Sequence, residues 1–140
     1  MNITAYSLAQ RFVGTKEVPG IASNPQVLAM LRLDGDWPAD DQVPWCSAFV
    51  NYIAHLLRLP RSKSLAARSW LGVGIPVKLE DAKVGFDVVV LSRGSGGHVG
   101  FFSATEGDSV LLLGGNQSDS VGVSPYDRAR VLGIRRLLEE

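Results

Sequence analysis

The chain is poor in the residues that build metal and disulfide sites. Of 140 residues one is cysteine, Cys46, and two are histidine, His55 and His98. A single thiol cannot close an internal disulfide, and one cysteine with two histidines cannot fill a structural zinc site. Long apolar runs are missing too, none approaching the ~20 residues of a spanning helix. Neither charge is in excess, with 14 Lys and Arg against 14 Asp and Glu, so no net field draws the chain to nucleic acid or an anionic membrane. The opening MNITAYSLAQRF has neither the basic start nor the unbroken apolar core of a signal peptide. The expectation is therefore a protein made in the cytoplasm without an export address. Internal repeats, low-complexity tracts and interdomain linkers are absent. What remains is an ordinary globular composition, 46% hydrophobic and 20% charged, in a chain long enough to bury a core unaided. One domain over residues 1–140 and a monomer are expected.

The first half reads as helix. Thr4 can cap a helix over residues 5–13, AYSLAQRFV, with Leu8, Phe12 and Val13 near helical spacing. Asn24 as N-cap, Pro25 at the first helical position and the stripe Val27, Leu28, Leu31 predict a second helix over SNPQVLAMLRL. DGDWPADDQVP, from Asp34 to Pro44, has loop composition. After Cys46, the residues Phe49, Val50, Ile53 and Leu57 form the inward stripe of an amphipathic helix that ends before Pro60. A short helix, LAARSWL, precedes the breakers Gly72, Gly74 and Pro76. Beyond Gly85 the period changes: DVVVLS, HVGFFSA, SVLLLGG, SVGVSPY and VLGIRRL are short β-rich runs separated by Gly, Ser and Asp. Helices first and strands second predict an α+β fold, N-terminal helices packed on a C-terminal antiparallel sheet.

The lone thiol stands in PWCSAFVNYI, at the first turn of the third predicted helix and on its inward stripe. A small core residue and a nucleophile look alike at this level, and a lone stripe cysteine is more often the former. A nucleophilic cysteine needs a base, because the thiolate is the reactive form. His55, nine residues on, points about 180° away and lies on the order of 13 Å along the helix axis, which excludes it. His98 opens HVGFF, where alternation puts His98, Gly100 and Phe102 on one face and Val99 and Phe101 on the other. Gly100 leaves space there for another backbone or a substrate. Asn116, with Gln117 beside it in LLLGGNQSD, ends the next strand and can come alongside His98 to orient its ring. The helix start supplies partial positive charge and free N–H groups for a thiolate or an oxyanion. Singly these signals are bland; their order, Cys then His then Asn, points to a cysteine hydrolase.

PWCSAFVN, HVGFF and LGGNQSD in this order resemble the papain-like peptidoglycan hydrolase superfamily, which contains NlpC-type and CHAP domains, and within it a single-domain phage-lysin-like subgroup. The likeness of element order runs over nearly the whole chain, from VGTKEVPG and the NP pair to the terminal VLGIRR. The resemblance implies a papain-like core with Cys46 as nucleophile, His98 as base and Asn116 orienting it. It implies cleavage of an amide in bacterial peptidoglycan, within the stem peptide or between muramoyl sugar and L-alanine, with no cofactor. One departure is GFDVVVLSR, where Phe86 is inserted into the family's GD; Asp87 is accordingly read as a strand-start residue. Asp34, Asp36, Asp40 and Asp41 offer the oxygen ligands calcium takes, but without an EF-hand pattern they read as solvated loop carboxylates, and no metal is expected. Trp45, Trp70, Asp41 and Gln117 are the expected substrate-contacting residues, with core packing an equal reading for either tryptophan. The function implied is that of a phage endolysin reaching the wall through a holin, with a secreted antibacterial effector as the alternative. A wall-binding module without turnover and an acyltransferase are the rivals from other classes.

Overall fold

The computed structural model describes residues 3–14, 30, 33, 45–93, 96–117 and 120–138, and the side chains of all these except 116, 117 and 120. The first helix, α1 (Ala5–Gln10), begins where Thr4 accepts a hydrogen bond from the Ser7 N–H and Ser7 answers to the Thr4 backbone, a capping box that satisfies two orphan groups. It stops three residues short of the expected end. Ala5, Tyr6 and Ala9 form its buried face, Leu8 and Phe12 pack at the margin, and Val13, expected to face inward, is 53% exposed because the chain has already left the helix there. Of the second expected helix, Met30 is helical and buried and Leu33 lies in a turn; the remainder, and the acidic loop with Asp34, Asp36, Asp40 and Asp41, lie outside the described residues.

The second described helix, α2 (Cys46–Leu56), follows the predicted stripe: Phe49, Val50 and Ile53 are buried. A 3-10 segment, Ala67–Gly72, replaces the predicted short α-helix. The strands are β1 (Ile75–Val77), β2 (Asp87–Arg93), β3 (Gly96–Glu106), β4 (Ser109–Gln117), β5 (Ser120–Asp127) and β6 (Val131–Arg136). They form one six-stranded sheet in the order β1-β6-β2-β3-β4-β5, every recorded pair antiparallel. The result is an α+β chain of few helices. β1 was not foreseen, because Pro76 reads as a breaker; at an edge position its missing N–H costs no ladder bond. Among the described residues no helix is long and apolar enough to cross a membrane.

Two apolar clusters divide the sheet faces. Val88, Val90, Val99, Phe101 and Leu113 join Tyr6, Trp45, Cys46, Phe49, Val50 and Ile53 of the helical layer. Phe12, Phe49 and Phe101 meet edge to face at 6.1 and 6.2 Å, each such pair worth roughly 0.5–1.5 kcal/mol beyond its burial. Val89, Leu91, Phe102, Val110, Leu112 and Ile134 fill the other face, as the period-2 alternation of the strands requires. Asp87 opens β2 with its carboxylate buried. It takes two hydrogen bonds from Arg136, at 2.7 and 2.9 Å, and one from the Lys83 N–H at 2.8 Å, a bidentate clasp tying β2 to β6.

Candidate active site

Cys46 is the first residue of α2. Trp45 precedes it as N-cap with backbone angles outside the helical well, and its side chain makes no capping hydrogen bond, so the first N–H groups of the helix keep no side-chain cap. Two of them, from Ser47 and from Cys46 itself, approach the thiol, and the Val99 N–H reaches it from β3. That N–H belongs to the peptide joining His98 to Val99, so the thiol meets β3 one peptide unit from the imidazole. Cys46 is 5% exposed. Burial pushes its thiol above the ordinary range, and the three N–H groups and the charge of Arg93 offset this only in part. At neutral pH the group therefore rests as a thiol.

Ser47 anchors this helix start from behind. Its fully buried hydroxyl accepts from Trp70 Nε1 at 2.9 Å and donates to the Ser64 carbonyl at 2.6 Å. Asn51, one turn on, donates to the Ser47 and Ser64 carbonyls and accepts from the Lys63 N–H. Gly115 lets β4 approach: a Cβ there would stand 2.7 Å from the Trp45 ring and 2.8 Å from Phe49 Cβ. Trp45 and Trp70 are both fully buried. Both belong to the apolar cluster shared with α2.

His98 is fully buried and pairs in register with Leu91 of β2. As alternation predicts, Val99 and Phe101 turn toward α2, while Phe102 and Leu91 belong to the other cluster. The space expected beside Gly100 belongs to β4: a Cβ there would lie 3.1 Å from both Leu112 Cβ and the Leu113 carbonyl oxygen. The glycine serves strand packing, not substrate. The β3–β4 ladder runs from Phe101↔Leu113 to Glu106↔Ser109. The side chains of Asn116 and Gln117 lie outside the described residues, as does Asp41. His55 is exposed in the last turn of α2, away from the thiol.

The sheet supplies a residue that the sequence reading missed. Tyr126 of β5 pairs with Val110, near the β3–β4 turn, yet its hydroxyl lies 3.2 Å from His98 Nε2 and the two rings are 5.0 Å apart at 33°. This contact requires the sheet to curl, and the register shifts between Phe102 and Ala104 and between Gly114 and Gln117 are where such bending enters. Arg130 lies 5.6 Å from the Tyr126 ring centre and donates to the Ser92 carbonyl at 2.9 Å. Burial pushes the Tyr126 phenol up, and the nearby thiol adds to this, against the pull of Arg93 and Arg130. Arg68 donates to the Gly96 carbonyl at 2.9 Å and braces the start of β3.

No protein-family model and no curated protein matches this sequence. Among solved structures the chain is similar to NlpC1 from Trichomonas vaginalis, with a TM-score of 0.60 and 14% identity over 97% of this chain. The fold is NlpC-like. The chain spans 44% of the NlpC1 chain, and at this identity the likeness is one of fold. In the NlpC-like frame the first turn of α2 and the start of β3 meet at the thiol. Among the described residues no group of three or more His, Cys, Asp or Glu side chains could hold a metal.

Proposed function

We propose that the chain is a cysteine-dependent hydrolase with a papain-like core that cleaves an amide bond in peptidoglycan stem peptides. The observation that carries the proposal is the thiol of Cys46 at an uncapped helix start, met by N–H groups from α2 and from the His98–Val99 peptide, in an NlpC-like fold. Because burial keeps Cys46 protonated at rest, attack and proton transfer are coupled: Sγ bonds to the amide carbonyl carbon as its proton passes to His98. N–H groups of the first turn of α2 hold the oxyanion. His98 then gives the proton to the leaving amine, the C–N bond breaks and a thioester remains on Cys46. Water, deprotonated by His98, attacks that thioester; collapse releases a carboxylate and returns the thiol. The sequence resemblance assigns the orienting of the imidazole to Asn116, whose side chain lies outside the described residues.

Digestion of chemically defined peptidoglycan by the wild type and by Cys46→Ala, with fragment masses read by mass spectrometry, tests the proposal. New ends made by the wild type alone are expected, and their masses name the bond. No new ends from either protein, across several peptidoglycan types, would return Cys46 to the core. The finer proposal of a phage lysin rests on the sequence resemblance, and lysis of cells co-expressing the chain with a holin, absent for Cys46→Ala, tests it.

A further inference from the structure

Tyr126 is a half-buried titratable group that this mechanism leaves unused, placed against the base by the curl of the sheet rather than by neighbouring strands. Its hydroxyl meets His98 Nε2 at 3.2 Å, and its ring leans on the imidazole, centroids 5.0 Å apart and tilted by 33°. Two arginines fix the phenol in turn: Arg130 stands 5.6 Å from its ring centre, and Arg93 hydrogen-bonds to it. A phenol both donates and accepts, so it can take a proton-bearing Nε2, and the imidazole nitrogen left for the thiol is then Nδ1.

We propose that Tyr126, in the place the resemblance gives to Asn116, is the positioning residue that accepts from Nε2–H of His98, holding the tautomer whose Nδ1 lone pair takes the proton of Cys46. The proposal rests on the hydrolase reading for its kinetic consequence but not for its structural content. When His98 becomes the imidazolium, Nε2–H keeps the phenol oxygen as acceptor and the ring plane does not turn. The tilted ring contact and the hydrogen bond thus act together, one limiting rotation of the imidazole and the other setting the tautomer. The charged and titratable groups around this pair, acting on the phenol, are Cys46 from α2, Arg93 from β2 and Arg130 from the segment before β6. Tyr126→Phe removes only the phenol hydroxyl and keeps the ring contact.

The test combines nitrogen-15 NMR of the His98 ring with kinetics of wild type and Tyr126→Phe. Expected are an Nε2–H neutral tautomer in the wild type and loss of that preference in Tyr126→Phe. With them kcat falls about tenfold at unchanged KM, the loss of one orienting hydrogen bond, and the acid limb of the pH–rate profile moves to lower pH. An Nδ1–H tautomer in the wild type overturns the proposal, and needs no variant to observe. So does a Tyr126→Phe protein, folded by circular dichroism, whose kcat and pH profile match the wild type. Failure of the hydrolase reading shows separately, as activity unchanged in Cys46→Ala, and leaves the tautomer measurement to decide on Tyr126.

Discussion

Removing the Ser47 hydroxyl asks how firmly the helix start that carries Cys46 is held. In Ser47→Ala the Trp70 Nε1–H, fully buried, loses its acceptor at 2.9 Å. The Ser64 carbonyl keeps the Asn51 amide at 3.1 Å, and Asn51 keeps Ser62 and the Ser47 carbonyl, so one group is orphaned rather than three. An orphaned buried donor costs about 1–3 kcal/mol. With an unfolding entropy of about 2.1 cal/mol/K per residue, the chain loses about 0.3 kcal/mol per degree near its midpoint, so Tm drops by about 3–10 °C. The assay is thermal unfolding of wild type, Ser47→Ala, Trp70→Phe and the double variant. Because Trp70→Phe removes the same donor, the double variant should cost less than the sum by about 1 kcal/mol or more. A Ser47→Ala protein within about 0.5 kcal/mol of wild type, or strict additivity in the cycle, refutes the reasoning.

Three further outcomes follow from the geometry. Gly115→Ala drives a methyl into the Trp45 ring and Phe49; it should cost about 1–3 kcal/mol by denaturant unfolding and lower activity, since Trp45 abuts the nucleophile. Asp87→Asn weakens the Arg136 clasp and should cost about 1.5–3 kcal/mol without changing the pH dependence of turnover, measured by urea titration and a pH–rate profile. The Cys46 thiol has a folded pKa raised above its unfolded value, so the unfolded chain releases its proton first as pH rises. Stability should therefore fall above about pH 8.5, a slope that unfolding of Cys46→Ala in alkali should show reduced, and alkylation of Cys46 by iodoacetamide should be slower at neutral pH than that of a free thiol.

How much was legible depends on how local the signal is. The start of α2 at Cys46 and its Phe49, Val50, Ile53 face follow from one helical period, and the five long strands from β-rich runs between Gly and Asp. β1 escaped because three residues containing Pro76 carry too little pattern. Gly100 and Gly115 show why a glycine cannot be interpreted without its neighbours: the first makes room for β4, the second for Trp45. Trp45 and Trp70 were open to both groove and core readings, and only packing decides such cases. Tyr126 was invisible in SVGVSPY because its contact with His98 crosses the curled sheet. Register shifts, which no alternation pattern records, bring that about.

The central claim, that Cys46 carries out hydrolysis, is tested most directly by digesting a defined stem-peptide substrate in oxygen-18-enriched water with wild type, Cys46→Ala and His98→Ala. The account predicts new carboxylate ends carrying a single oxygen-18 from the wild type and none from either variant. Ends that persist undiminished in Cys46→Ala, or products whose acyl group has passed to an acceptor other than water, would contradict it.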